Sequence, residues 1–240
     1  MSQDKRPQSS EFIDLLNLGQ LEVIGRMPYS SNGTYLVQVT LEDRAIKAIY
    51  KPHQGERALW DFPDGLYARE VAAYELSQAL NWDLVPPTVL RGDAPLGIGS
   101  LQLFIEADFS EHYFSLFERE ELHPQFMKFA LFDIIANNAD RKSGHLLIDE
   151  NNHIWGIDQG LCFHSIYKLR TVIWEFAGLK IPDDLISHIR EAIPLLIKST
   201  RNLLTAEESA ALELRVTSIL KKRKFPLPDP EMRCYPWPLV

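Results

Sequence analysis

The hydrophobic pattern of this chain changes about half way along its length, and the change limits the folds open to it. In the first half, the segments 21–24, 34–40 and 45–50 are rich in β-branched and aromatic residues. A charged turn at 42–44 separates the last two of these segments. The first half is therefore predicted to contain an antiparallel sheet.

A single helix interrupts the predicted sheet. Residues 66–80 combine good helix formers with apolar side chains at helical spacing, and Pro86 and Pro87 prevent the helix from continuing. The segments 88–91 and 100–106 again favour extended structure. The first half is therefore predicted to be a sheet with one helix.

From Pro124 onward, the apolar side chains follow a helical period. A buried helix is predicted to begin near this proline and to end at 137–140. Short strands at 145–148 and 153–157, joined by a polar turn, form a predicted hairpin. Further helical patterns follow at about 171–177, 183–198 and 205–222. The second half is therefore predicted to be mostly helical.

The last part of the chain is unusually rich in proline. Residues 226–240 contain five prolines, which exclude a helix and favour an extended segment on the surface. Tyr235 and Trp237 indicate that this tail docks on the rest of the protein. We predict four parts: an N-terminal extension at 1–20, an N-lobe at 21–106, a C-lobe at 107–225 and the tail at 226–240.

The composition, with 45% hydrophobic and 24% charged residues, is that of an ordinary globular protein. A formal net charge of −8 argues against a general nucleic-acid-binding surface, so no nucleic-acid partner is expected. The polar start and the lack of a long apolar run predict a cytoplasmic protein without a transmembrane segment. Cys162 and Cys234 are too few for a disulfide framework or a four-ligand zinc site.

An α+β chain with a sheet-rich N-terminal lobe and a mostly helical C-terminal lobe has the layout of a two-lobed, protein-kinase-like fold. Phosphoryl transfer on such a fold needs a lysine for the phosphates, a helix glutamate that orients the lysine, and carboxylates for a divalent metal. Lys51 ends a predicted strand, and Glu70 lies on the helix that follows. Lys47, on the same face of the strand, is the rival of Lys51. Each of these residues taken alone is also typical of a solvated surface charge.

A second group of polar residues surrounds the predicted hairpin. Asp140 follows the buried helix, His145 comes five residues later, and Asp158 follows the second strand. Kinase catalytic loops place one metal ligand a few residues after an aspartate, and a metal-binding aspartate follows the next strand pair. This order predicts a catalytic Asp140, with Asp158 and His145 as metal ligands. The alternative is that Asn137, Asn138 and Asp140 only cap the helix end.

The remaining candidates for contact with a nucleotide are Ser31, Asn32, Gly33, Ile49, Phe104 and Ile105. The first three lie in a loop between two strands, where backbone N–H groups and hydroxyls would face phosphates. A hairpin turn with one glycine is the simpler interpretation of that loop. The other three would surround adenine, because nucleotide pockets are mainly apolar and have few polar anchors.

Three motifs carry a resemblance to a known family: Tyr-Lys-Pro at 50–52, Asn-Asn-Ala-Asp-Arg at 137–141 and Ile-Asp-Gln-Gly at 157–160. Over residues 25–180 the chain resembles bacterial proteins related to the phosphatidylinositol 3- and 4-kinases, particularly the type II 4-kinases. The resemblance implies ATP and Mg²⁺ or Mn²⁺ as cofactors. It also implies phosphate contact by Lys51, pairing of this lysine with Glu70, a catalytic-loop role for Asp140 and metal binding by Asp158.

One residue departs from the family pattern, because His145 stands where these kinases carry a metal-binding asparagine. Imidazole is a poorer ligand for Mg²⁺ than oxygen, so His145 would favour Mn²⁺, contact a phosphate or pack as a polar strand residue. We expect an ATP-dependent phosphotransferase whose acceptor is a protein, a lipid or a small molecule. Two alternatives stay open: a nucleotide-binding regulatory module without catalysis, and a nucleotidyl (AMP) transferase on the same fold.

Overall fold

The computed structural model describes residues 9–28, 30 and 32–240. The chain divides into two compact units, Met1–Val71 with Pro86–Phe104, and Ala72–Val85 with Ile105–Val240. The predicted lobes are continuous stretches of sequence, whereas each unit combines two separate stretches that pack together. Residues 9–20 of the segment assigned to an N-terminal extension therefore belong to the first unit, and the end of the N-lobe helix belongs to the second.

The first unit is built on an antiparallel sheet. Its strands are β1 (Gln20–Arg26), β2 (Tyr35–Leu41), β3 (Arg44–Pro52), β4 (Thr88–Arg91) and β5 (Gly99–Leu103). Their order across the sheet is β1-β2-β3-β5-β4. Alternate residues of β2 and β3, among them Val37, Val39, Ala48 and Tyr50, are fully buried in one core. The predicted strands are present, and the last of them ends at Leu103 rather than at residue 106.

A helix that the sequence did not predict completes this core. Helix α1 (Ser9–Leu18) places Leu15 and Leu16 in the buried interior, where Leu16 joins the core of the sheet. The guanidinium of Arg91 donates hydrogen bonds to the carbonyls of Leu16 and Gly19, at 2.8 and 3.0 Å. A residue distant in sequence thus satisfies the carbonyls at the end of the helix, which a local pattern does not reveal.

Helix α2 (Leu66–Ala79) follows the predicted range closely. Its N-terminus is capped by the Glu56 carboxylate, which accepts hydrogen bonds from the N–H groups of Gly65 at 3.0 Å and Tyr67 at 2.7 Å. A carboxylate at this end of a helix also faces the positive end of the helix dipole. The loop before α2 is therefore anchored to the start of the helix that carries Glu70.

The second unit is mostly helical, as predicted. Its elements are α3 (Tyr113–Leu116), α4 (His123–Ala136), β6 (Leu146–Ile148), β7 (Ile154–Gly156), α5 (Asp183–Thr200) and α6 (Ala206–Lys222). Strands β6 and β7 form the predicted antiparallel hairpin. His145 lies in a short 3-10 turn before β6, so the interpretation of this histidine as a strand residue is wrong.

The helix predicted at 171–177 is absent, because this segment bonds to the chain around it instead. Thr171 forms an isolated parallel bridge with Arg141, and its hydroxyl accepts a hydrogen bond from the Ile173 N–H at 3.1 Å. A threonine hydroxyl that bonds nearby backbone groups competes with helix formation. The apolar spacing of this segment therefore reflects burial against other elements.

The proline-rich tail contains no helix or strand, in agreement with its prolines. It docks on the second unit through Cys234, which is buried, whereas Trp237 is 77% exposed and Tyr235 is 49% exposed. The predicted docking of the tail is therefore confirmed, although it occurs through backbone carbonyls and the buried Cys234 rather than through the two exposed aromatic side chains. In the part of the chain that the structure describes, no helix has both the length and the apolar character needed to cross a bilayer.

Candidate active site

The first unit brings Lys51 and Glu70 together. The ammonium group of Lys51, near the end of β3, forms an ion pair with the Glu70 carboxylate on α2. Glu70 is buried and Lys51 is partly exposed. The rival Lys47 lies elsewhere, with its Nζ atom 6.0 Å from the centre of the Phe104 ring. The geometry therefore gives Lys51, and not Lys47, the oriented position that a phosphate-binding lysine requires.

The loop between β1 and β2 is pinned to the segment that follows β3. Gly33 donates its N–H to the carbonyl of Gly55 at 2.8 Å, and the Asn32 side chain accepts the N–H of Arg57 at 3.1 Å. A Cβ atom on Gly33 would lie 2.9 Å from the Gly55 Cα, so the close approach requires glycine. The Gly33 N–H is thus already bonded, and Ser31 lies outside the described residues.

The three residues predicted around adenine occupy two places. Ile49 is half-buried in β3. Lys51 follows it by two positions, so the two side chains lie on the same face of the strand. Phe104 and Ile105 follow β5, and the N–H of Phe104 donates to the carbonyl of Lys47 at 3.1 Å. Ile49 therefore shares its face with the phosphate lysine, whereas the Phe104 N–H is used within the sheet.

In the second unit, two asparagines shape the loop that follows α4. Asn137 ends the helix in the left-handed conformation, and its side chain donates to the carbonyls of His164 and Ile166, both at 2.8 Å. The Asn138 side chain accepts the N–H of Asp140 at 2.9 Å. Asn137 therefore ends the helix, as the helix-end interpretation has it, whereas the Asn138 side chain bonds to the loop beyond the helix. The Asp140 carboxylate instead forms an ion pair outside the helix.

Asp140 pairs with a residue that the sequence analysis missed. The Nζ atom of Lys142 lies 3.2 Å from the carboxylate of Asp140. Burial raises the pKa of Asp140, and Asp158 also raises it, whereas Lys142 and Arg170 act in the opposite direction. The signal that could have found Lys142 is its position two residues after Asp140 in the same loop. The loop thus presents an aspartate whose proton affinity is raised, next to an ammonium group.

A fully buried ion pair beneath this loop was also missed. Arg141 donates to the Asp133 carboxylate on α4, with Nη2 3.0 Å from Oδ1. The Thr171 hydroxyl donates to the other carboxylate oxygen at 2.9 Å, and Arg141 Nη2 also donates to Gln159 at 2.9 Å. A carboxylate within the apolar second half of this helix was the signal in the sequence. These bonds connect α4, the loop, the segment after β7 and Thr171.

The structure brings His145 and Asp158 close to each other. His145 Nε2 lies 3.6 Å from Asp158 Oδ2. The other ring nitrogen, Nδ1, accepts the N–H of Lys142 at 3.3 Å. Because Nδ1 accepts, the proton of a neutral imidazole lies on Nε2, which faces Asp158. This arrangement favours orientation of the carboxylate by His145 over coordination of a metal through Nε2.

Asp158 is suited to take part in binding a divalent cation. Its side chain is 55% exposed, and its backbone is left-handed, with φ of 59°. Mg²⁺ is commonly held by one or two carboxylates together with substrate phosphates and waters. Within residues 9–28, 30 and 32–240, no group of three His, Cys, Asp or Glu side chains is placed to hold a metal unaided.

These features define a class of protein. A sheet unit with a lysine–glutamate pair and a helical unit with two loop aspartates are the arrangement of a kinase-like fold. The structure is similar to that of the Helicobacter pylori proinflammatory kinase CtkA, with a TM-score of 0.54, 11% identity, and coverage of 88% of this chain and 94% of that chain. It is also similar to hydra Fam20 with sugar, with a TM-score of 0.58, 13% identity and 87% coverage of each chain. The predicted α+β, two-lobed kinase-like fold is confirmed.

Comparison of sequences identifies the family. The family model for phosphatidylinositol 3- and 4-kinase matches residues 68–218, which include Glu70, Asp140 and Asp158. Protein Rv2133c of Mycobacterium tuberculosis is 35% identical over 258 aligned positions, which cover 92% of each protein. The chain belongs to the phosphatidylinositol 3- and 4-kinase family. Its fold and family are those of phosphotransferases.

The raised pKa of Asp140 predicts a specific dependence of stability on pH. Between the ordinary pKa of an aspartate and the raised value, the folded state binds more protons than the unfolded state, so stability falls as pH rises. Asp140→Asn removes this charge. We expect the variant to melt at a higher temperature than the parent at neutral pH, with the difference vanishing below about pH 3.

Thermal unfolding followed by circular dichroism across this pH range tests the prediction. Asp183→Asn is the matched control, because ion pairs with Lys180 and Arg223 lower the pKa of the exposed Asp183 carboxyl. The control should not melt at a higher temperature than the parent at neutral pH. A lower melting temperature of Asp140→Asn at neutral pH would show that Lys142 outweighs the cost of burial.

Proposed function

We propose that this protein is an ATP-dependent phosphotransferase that transfers a phosphate to a hydroxyl of a protein, lipid or small molecule. The observation that carries the proposal is the state of Asp140. Its carboxylate does not cap the helix, and it lies in a loop held by the fully buried pair of Asp133 and Arg141. Asn137 ends the helix and the Asn138 side chain bonds to the loop after it. A structural role at the helix end therefore does not explain the aspartate at position 140.

Lys51 and Glu70 would serve the nucleotide. Phosphoryl transfer depends mainly on positioning and on stabilisation of charge, because the reaction needs little covalent chemistry from the protein. The buried Glu70 carboxylate holds the Lys51 ammonium group in one orientation. Lys51 would then contact the phosphates of ATP, and Ile49, on the same strand face, would contact its base.

Asp140 would position the hydroxyl of the acceptor and receive its proton. An acid or base works best when its pKa lies close to the working pH, and burial moves the pKa of Asp140 in that direction. Lys142 lies 3.2 Å from this carboxylate and holds its orientation. The ammonium group of Lys142 would also stabilise negative charge on the transferred phosphate.

Asp158 is the proposed ligand for Mg²⁺ or Mn²⁺. When bound, such a cation neutralises charge on the phosphates. Asp158 offers an exposed carboxylate, and its left-handed backbone turns that side chain away from the regular path of the strand before it. His145 would orient Asp158 through Nε2, because ligation by that nitrogen conflicts with the hydrogen bond that Nδ1 accepts.

Binding of ATP should depend on Lys51 and not on Lys47. We expect Lys51→Ala to weaken binding of ATP with Mg²⁺ by about 10- to 100-fold, the range for loss of a charge-assisted hydrogen bond. Lys47→Ala is the matched control, since it removes the same charge from the same strand face. Isothermal titration calorimetry measures both variants. Equal affinities of Lys51→Ala and the parent would show that the phosphate site is wrongly placed.

The two aspartates should separate transfer from binding. Asp140→Asn keeps the size of the side chain and removes the proton acceptor, so turnover should fall by about 10²-fold or more while ATP affinity stays near that of the parent. Asp158→Asn should lower both turnover and the affinity for ATP. Turnover is measured as autophosphorylation or slow ATP hydrolysis, and mass spectrometry distinguishes a transferred phosphate from a transferred AMP.

Two competing outcomes of this experiment would identify another function, and a third would remove the role of Asp140. Transfer of AMP would indicate a nucleotidyl transferase. Binding of ATP without turnover in the parent would indicate a regulatory nucleotide-binding module. Parental turnover in Asp140→Asn, with loss in Asp158→Asn, would mean that Asp140 has no catalytic role.

The role of His145 predicts how activity depends on the metal. If His145 orients Asp158 without touching the cation, His145→Asn should lower turnover with Mg²⁺ and with Mn²⁺ by a similar factor. The ratio of the two activities should therefore stay as in the parent. A shift of the ratio toward Mg²⁺ in the variant would show that the imidazole is itself a metal ligand, because nitrogen ligands favour transition metals.

A further inference from the structure

We propose that the proline-rich tail, residues 226–240, is a strap that fixes the conformation of the catalytic loop, residues 140–145. The tail is remote from this loop in sequence but forms backbone hydrogen bonds with it and with the segment beside it. The functional consequence rests on the proposed phosphotransfer, since the loop carries Asp140. The effect of the tail on the conformation of the loop can be tested separately from any effect on catalysis.

The first bond of the strap is to the loop itself. The carbonyl of Leu239 accepts the N–H of Ser143 at 2.8 Å. Ser143 is fully buried and lies between Lys142, which pairs with Asp140, and His145. A buried N–H without a partner is costly, so this bond favours the one loop conformation in which Ser143 meets the tail.

The second attachment is to the segment that lies along the other side of the loop. The carbonyl of Cys234 accepts two hydrogen bonds at 3.1 Å, from the N–H of Thr171 and from the indole of Trp174. Cys234 is buried, in contrast to most of the tail. This double contact fixes the tail just before it reaches Ser143.

Thr171 connects the second attachment back to the loop. Arg141 donates its N–H to the carbonyl of Arg170 at 3.0 Å and accepts the N–H of Val172 at 3.2 Å, so the two segments run side by side. The Thr171 hydroxyl also donates to the buried Asp133 carboxylate. The tail therefore supports the loop directly at Ser143 and indirectly through Thr171.

The chemistry of the tail suits this task. The two contacts use tail carbonyls, whereas the side chain of Trp237 is 77% exposed. Proline lacks an N–H and holds the chain extended, so a proline-rich segment presents carbonyls without donors of its own to satisfy. Ser143 Oγ is buried without a hydrogen-bond partner among the described residues, so the backbone bond to Leu239 is a polar contact that holds Ser143 in place.

Three proteins test the strap: the full chain, a chain ending at Trp237, and the full chain with Leu239→Ala. The shortened chain loses the carbonyl bonded to Ser143 but keeps the attachment at Cys234. Leu239→Ala is the matched control, because it removes the side chain and keeps the backbone carbonyl. Amide hydrogen exchange of Ser143 and its neighbours reports loop conformation without any assumption about function.

We expect exchange at Ser143 to be at least about tenfold faster in the shortened chain and unchanged in Leu239→Ala. Turnover should fall by about tenfold in the shortened chain, with the KM for ATP unchanged, because the strap contacts the loop of Asp140 and not Lys51. An exchange rate at Ser143 in the shortened chain equal to that of the full chain would contradict the strap. Faster exchange in the shortened chain, with the turnover of the full chain, would contradict the role of the strap in catalysis.

A second variant guards against unfolding of the shortened chain. Ser143→Pro removes the N–H donor and leaves the tail intact, and Lys142, with φ of −87° and ψ of 164°, already has the extended backbone that precedes proline. The neighbours Gly144 and His145 should then exchange faster. If the parent shows no turnover of ATP, the proposed function fails, whereas the exchange of these amides still decides the strap.

Discussion

The second unit of this protein depends on one buried ion pair, between Asp133 on α4 and Arg141 in the loop that follows. Neither side chain is exposed, so both charges have lost their contact with water. Loss of one partner from such a pair typically costs about 3–5 kcal/mol, because it leaves an uncompensated buried charge. Thr171 and Gln159 complete the hydrogen bonds of the pair. Four segments of the second unit are therefore held in one arrangement.

This arrangement explains why Asp140 can remain outside the structural network. Arg141 points inward to Asp133, and the residue before it is held by the Asn138 side chain, so the Asp140 carboxylate is left beside Lys142. Burial without a fully compensating partner raises the pKa of that carboxyl. A group that is unfavourable for stability is thus retained on a rigid support, which is typical of functional sites.

The two units secure their charged residues by the same physical means. In the first unit, Glu56 caps α2, and the helix then carries Glu70 to Lys51. In the second, tail carbonyls support the segment that Arg141 also bonds. In both places a short, irregular segment is fixed by hydrogen bonds to backbone groups, which carry no signature in local sequence pattern.

The sequence by itself determined the strands, most helices and the order of Asp140, His145 and Asp158, because periodicity and turn chemistry are local properties. Only the tertiary structure decided that Glu70 pairs with Lys51 rather than Lys47, since both lysines share one strand face. It also replaced a predicted helix at 171–177 with a segment bonded to Arg141. Both outcomes depend on hydrogen bonds between residues far apart in sequence. Such bonds override local propensity when they satisfy buried polar groups.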